Sequence, residues 1–276
     1  MDSLVSTEWL AAYLGEPDLK VVDSSWHMPA TARSGPDEYL AVHIPGAAFL
    51  DIDEVADKSN PVPHAMPNAA GFGAAMATLG INRGDRIVVY DNSPLRTAAR
   101  GWFMLRHFGA ERVAILDGGL QKWLAEDRPT ESGEQQAPPA QFDAAATDQI
   151  VTRQQLLAGL DSPLLDARGK ARFEGSEPEP RPGVVPGHIP GARNLPFATL
   201  YREDGRFKPI DELRRLFAEA GIDPERPFVA TCGSGVTANS LLFAAHLIGN
   251  NHTKLYDGSW SEWGADPATP KAVGPA

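Results

Sequence analysis

The stretch His43-Ile44-Pro45-Gly46-Ala47 returns, letter for letter, as His188-Ile189-Pro190-Gly191-Ala192, 145 residues further along the chain. Working outward, Val21-Val22-Asp23 is answered by Leu164-Leu165-Asp166 at an offset of 143, and Gly80-Ile81 by Gly221-Ile222 at 141. Leu116-Asp117-Gly118-Gly119 is answered by Tyr256-Asp257-Gly258-Ser259 at 140. Four matches in one order, with a slowly drifting offset, mark a duplicated domain with small loop insertions. Two copies make two domains rather than a solenoid, and 276 residues at about 150 per domain agree.

Each copy alternates strand and helix signals. Val21-Val22, Ile87 to Tyr90 and Val113 to Leu116 are short apolar runs of the length expected for buried parallel strands. Arg96 to Phe108 reads as a helix closed by Gly109. In the second copy Thr152 and Gln155 have capping-box spacing, and Leu213, Leu216 and Phe217 form an i, i+3, i+4 stripe. Phe228-Val229-Ala230 reads as a strand, and Leu241, Leu242, Ala245 and Ile248 as a helix running to Gly249. The alternation predicts an α/β fold: two tandem domains, each a mainly parallel sheet with helices on both faces. The domains are expected at 1–130 and 150–276, joined by a polar, Pro- and Ala-rich linker over 131–149.

Composition removes several function classes. The net charge is −11 with no basic block, so nucleic acid is not an expected partner. Residues 227–253 carry no formal charge, but Gly233, Ser234, Gly235, Thr237, Asn239, Ser240 and His246 interrupt them, so no membrane span is expected. The start of the chain has no basic n-region of a signal peptide. A single cysteine, Cys232, excludes a disulfide framework and suits a reducing, cytoplasmic setting. His64 and His107 have no metal-ligand spacing with another His or Cys, and no phosphate-cradling glycine motif follows a strand. No metal or cofactor is implied. Trp102, Trp123, Trp260 and Trp263 read most simply as packing residues.

Cys232 ends the strand at Phe228-Val229-Ala230 and is followed by Gly233-Ser234-Gly235-Val236-Thr237-Ala238 before the next helix. That puts its sulfur at the carboxyl edge of a sheet, where open α/β folds hold ligands. Two glycines let successive N–H groups curl inward as an anion nest, and the helix start adds partial positive charge. Both favour a thiolate nucleophile. The equivalent place in the first copy holds Asp91, so only the second copy has a nucleophile there. A phosphatase would need arginine after five spacers, and that residue is Ala238.

Cys232 to Ala238, the two His-Ile-Pro-Gly-Ala strings and Asp257-Gly258-Ser259-Trp260 together resemble the tandem-domain rhodanese superfamily over nearly the whole chain. The resemblance implies a catalytically silent first domain and a second domain whose Cys232 becomes a persulfide. Thiosulfate-using members usually carry Arg and Lys after the cysteine, where this chain has Gly233 and Ser234. The neutral pair implies a donor whose charge lies away from its sulfur, and 3-mercaptopyruvate fits. Arg172 and Arg181 match the substrate-recognition segment, and guanidinium forks suit a carboxylate and its neighbouring keto oxygen. Gly233, Gly235, Val236 and Thr237 form the active-site loop. The resemblance also places a first-domain histidine near the site. His43 is the candidate, with a conceivable relay through Asp37 and Ser234, whereas His188 reads as structural. The implied partners are a small sulfur donor and a thiol acceptor such as thioredoxin or a small thiol. A thiosulfate donor and a non-catalytic sensor or binding module are the alternatives.

Overall fold

The computed structural model describes residues 1–276 as two units, each built on one five-stranded sheet. The first unit contains Met1–Ala56, Pro67–Thr147 and Arg202–Phe207. Its strands are β1 (Leu4–Val5), β2 (Leu19–Asp23), β3 (Ala48–Phe49), β4 (Arg86–Tyr90) and β5 (Val113–Leu116). They lie in the order β1-β5-β4-β2-β3, every neighbouring pair parallel. Between them run α1 (Thr7–Tyr13), α2 (Gly35–Ala41), α3 (Ala69–Thr78), α4 (Ala98–His107) and α5 (Gly119–Ala125). Ile87, Val88, Val89 and Tyr90 are all fully buried, as a central parallel strand covered on both faces requires.

The second unit contains Asp57–Met66, Asp148–Tyr201 and Lys208–Ala276. It repeats the plan with β6 (Ile150–Val151), β7 (Leu164–Asp166), β8 (Arg193–Asn194), β9 (Val229–Thr231) and β10 (Lys254–Tyr256), ordered β6-β10-β9-β7-β8 and again all parallel. Its helices are α6 (Arg153–Ala158), α7 (Lys170–Glu174), α8 (Ile210–Glu219), α9 (Ala238–Ile248) and α10 (Ser259–Trp263). The Thr152–Gln155 capping box opens α6, and Gly249 closes α9 in the left-handed conformation. Leu213 and Phe217 bury the inner face of α8. After β7 the chain moves outward to β8, and after β9 it moves the other way to β10. The carboxyl ends of β7 and β9 therefore flank the point where strand order reverses, which is where such sheets bind ligands.

Two boundaries differ from the sequence expectation. Residues 131–147 are not a free linker but part of the first unit. Glu131 exchanges two 2.9 Å backbone bonds with His43, Phe142 packs edge-on against Phe72, and Thr147 N–H donates to His107 O. Such a strap is held by backbone pairing and isolated anchors, so it shows no periodicity to read. The units are also not simple halves of the chain, because 57–66 and 202–207 are exchanged. Phe207 N–H, for example, donates to Asp117 Oδ1 at 2.9 Å. Trp123 and Trp260 are fully buried, with their indole N–H groups on Pro129 O and Val185 O. No helix is long and apolar enough to cross a membrane; the uncharged 227–253 stretch holds β9 and the eleven-residue α9.

Candidate active site

Cys232 is the first residue after β9, and its side chain lies in a loop that turns directly into α9. The residue is only 1% exposed, whereas Gly233, Ser234 and Thr237 reach the surface in part. The loop is fastened from beneath by the start of α10. Trp260 N–H donates to Cys232 O and Ser261 N–H to Gly233 O, both at 2.9 Å. Ser259 Oγ accepts from Cys232 N–H at 3.1 Å and from Gly235 N–H at 3.0 Å. Asn239, on the first turn of α9, donates through Nδ2 to Gly235 O and Val236 O. These anchors hold a tight curve in which Gly235 has a φ of +72°, a conformation that suits glycine.

Both predicted arginines come to this loop. The Arg172 guanidinium, from α7, lies over Gly233 so closely that a Cβ there would sit 3.1 Å from Nη2. Glu179 holds it, accepting from Nη2 at 2.5 Å and from Nε at 3.3 Å. Glu179, 3% exposed at its side chain, also accepts from Arg168 Nη1 at 2.8 Å. Arg168 in turn pairs with Asp166 at the end of β7 and packs on the Trp260 ring. Burial works against the charge on Arg168, but Asp166 and Glu179 outweigh it and hold the guanidinium charged. Arg181 reaches the loop another way: its Nη1 donates to Ser261 Oγ at 2.7 Å, and that hydroxyl donates to Gly233 O. A chain of alternating charges thus runs from the sheet edge to the mouth of the site.

The histidine beside the loop is His64, not His43. His64 Nδ1 lies 3.0 Å from Ser234 Oγ, and Met66 N–H two residues on donates to Asp257 Oδ2 at 2.7 Å. His43 is fully buried in the first unit with both ring nitrogens engaged. Its Nδ1 contacts Tyr39 O at 2.7 Å, its Nε2 meets the Gln135 amide at 3.2 Å, and its ring stacks on Tyr39. His188 repeats the arrangement on Phe173. The repeated string is therefore a packing device in both copies, which leaves His43 no free nitrogen for proton transfer. Asp37 is exposed on the first turn of α2, where Ser34 caps its N–H. His64 escaped the sequence reading because nothing in a Pro-rich loop links it to a residue 170 positions away. No three His, Cys, Asp or Glu side chains gather as a metal-binding group.

A model of the rhodanese-like domain matches residues 6–126 and again 152–266. The chain belongs to the rhodanese family. A mouse relative named 3-mercaptopyruvate sulfurtransferase is 42% identical over 271 residues, spanning 95% of this chain and 91% of its own. A bovine relative named thiosulfate sulfurtransferase is 41% identical over 272 residues, again 95% and 91%. Among solved structures, the 3-mercaptopyruvate sulfotransferase SseA of Escherichia coli matches with a TM-score of 0.86 at 38% identity, over 95% of this chain and all of that one. Overall identity hardly separates the two activities, so the donor must be argued from the loop.

The two rhodanese copies differ at that loop. In the first, Asp91 follows β4 as Cys232 follows β9. Its Oδ1 accepts Ser93 N–H and its Oδ2 accepts Ala98 N–H, each at 2.8 Å. The first-domain loop is thus filled by its own carboxylate, and burial pushes that carboxyl above its usual pKa.

Proposed function

We propose that this protein is a 3-mercaptopyruvate sulfurtransferase that carries sulfur as a persulfide on Cys232. The observation that supports this reading best is Arg172 lying across Gly233. A cation stands over the loop but comes from α7 rather than from the loop itself, and the residues after the cysteine are neutral. That suits a donor whose carboxylate is remote from the atom transferred.

In the first half-reaction the Cys232 thiolate attacks the donor's sulfur. The S–S bond forms, the C–S bond breaks, and its electrons pass into the enolate of pyruvate. Atoms balance if the donor's thiol proton ends on the enolate carbon. Ser234, backed by His64, is the group positioned to move it. Arg172 and Arg181 grip the carboxylate and the keto oxygen, and the latter gains charge in the transition state. In the second half-reaction an acceptor thiolate attacks the outer sulfur and releases Cys232 as thiolate; cyanide does the same and leaves as thiocyanate. The acceptor would be a protein thiol such as thioredoxin or a small thiol. Need of a reduced acceptor, and the lone cysteine, favour a cytoplasmic setting. The first domain, with Asp91 filling its loop, would not transfer sulfur.

The test compares donors and follows mass. The kcat/KM for 3-mercaptopyruvate should exceed that for thiosulfate by at least about 10-fold, or about 1.4 kcal/mol. Mass spectrometry should show one added sulfur on Cys232, and Cys232→Ser should fold normally yet transfer none. Equal or reversed donor preference would favour the thiosulfate reading. No sulfur uptake at all would leave a binding module.

A further inference from the structure

The rhodanese repeat supplies an internal control for one residue that the mechanism above does not use. Ser259 has a φ of +51°, a left-handed conformation rarely adopted by a residue with a side chain. Its counterpart in the first copy is Gly119, with a φ of +59°. The backbone contact is the same in both: Leu120 N–H donates to Asp91 O at 3.0 Å and Trp260 N–H to Cys232 O at 2.9 Å. A glycine therefore meets the geometric demand, and the second copy nevertheless carries serine. Backbone strain of this kind persists where the side chain has a use.

The use is visible in the hydrogen bonds. Ser259 is fully buried, and its hydroxyl proton has an acceptor in Tyr256 O at 2.9 Å. The oxygen then accepts from Cys232 N–H and Gly235 N–H, with Thr231 Oγ1 at 3.3 Å and Cys232 Sγ at 4.0 Å. In the first copy the loop is held instead by its own carboxylate, Asp91. A carboxylate in that role would place negative charge against a thiolate or persulfide. A hydroxyl from the neighbouring helix holds the curve without that charge.

We infer that Ser259 is a positioning residue for sulfur transfer: its hydroxyl fixes the Cys232 loop in the curve that presents the sulfur. The inference rests on the sulfur-transfer reading of Cys232. Two variants separate it from a merely structural role. Ser259→Gly removes the hydroxyl and the strain together, whereas Ser259→Ala removes the hydroxyl and keeps the strain. Ser259→Gly should therefore melt above Ser259→Ala. Both should lose kcat with 3-mercaptopyruvate by about the same factor, at least 10-fold, below the 100- to 1,000-fold of removing a direct oxyanion donor. The KM should stay within about threefold, because the arginines that bind the carboxylate are untouched. Activity that follows melting temperature across the three proteins, or Ser259→Gly within twofold of the parent, would overturn the inference. If the parent protein itself moves no sulfur in this assay, the sulfur-transfer reading has failed instead.

Discussion

Arg172→Ala separates recognition from chemistry, and the structure sets the size of each effect. On stability, removing the guanidinium does not strand a buried charge. Glu179 keeps its 2.8 Å bond to Arg168, and Arg168 keeps Asp166. Arg172 itself is 27% exposed at its side chain, so its pair with Glu179 is partly screened. The folding cost should stay below about 1 kcal/mol, within a shift of about 2–4 °C in Tm. On activity the accounting is different. Nε and Nη2 already face Glu179, which leaves Nη1 and the second Nη2 proton for a carboxylate over Gly233. Losing that fork should cost about 2–4 kcal/mol in kcat/KM for 3-mercaptopyruvate, or roughly 30- to 900-fold. A contact to the carboxylate alone appears mainly in KM, whereas a contact to the keto oxygen also lowers kcat. Lysine should restore only part, since it offers charge without the fork. Persulfide already on Cys232 should pass to cyanide at the parent rate, because cyanide has no carboxylate to hold. Rapid-mixing measurement of each half-reaction decides the matter. Unchanged donor kinetics, or equal losses in both halves, would refute the assignment.

The remaining predictions use the same site and one distant carboxyl. Gly233→Ala adds a Cβ 3.1 Å from Arg172 Nη2, so the guanidinium must retreat by a few tenths of an ångström; steady-state KM for 3-mercaptopyruvate should rise about 3- to 10-fold, less than the 100-fold of a 1 Å misplacement. His64→Asn keeps a residue that tolerates the φ of +60° but cannot shuttle protons, and steady-state kcat should fall at least about 10-fold. Burial raises Asp23 to about 6 despite the Ser25 hydrogen bonds. The native state then holds a proton the unfolded chain has lost, so this group's contribution to stability falls as pH rises from about 4 to 6, by about 3 kcal/mol. Urea midpoints of Asp23→Asn should lack that loss, and parallel curves for the two proteins would contradict it.

The fold was legible because duplication makes each half a check on the other, and because buried parallel strands are apolar runs. Cys232 and Gly233 were legible because a strand, a glycine turn and a helix start define their loop within a few consecutive residues. Arg172 and Arg181 were legible only through the resemblance of their segment to the family's substrate-recognition stretch. His64 was not, since its contact with Ser234 is made by a loop that carries no period and closes over 170 residues. His43 misled because the resemblance asks for a first-domain histidine near the site without saying which, and only the structure shows this ring stacked on Tyr39 with both nitrogens engaged. Ser259 was quoted within a repeat, yet its meaning needs φ and two amide bonds, neither of which a one-dimensional pattern contains.

The proposal that only the second domain transfers sulfur rests on charge as well as on the missing thiol. Tyr39 and Phe173 are equivalent, since each carries the stacked histidine of its repeat and accepts that histidine's Nδ1 contact. The residue before each is therefore equivalent too, and Glu38 stands where Arg172 stands. Its carboxylate is held by Arg33 and accepts from the amide of Asn92, the counterpart of Gly233. Arg33 also donates to Asn92 O, so the region above the loop is filled by side chains already paired with one another. An anionic donor would meet a carboxylate where the second domain offers a guanidinium, and the loop amides beneath are already taken by Asp91. A thiol placed at position 91 alone would free the amides but leave the repulsion. On that proposal, silence in the first copy would be built at positions 38, 91 and 92 together, and activity in the second would require the matching set of Arg172, Cys232 and Gly233.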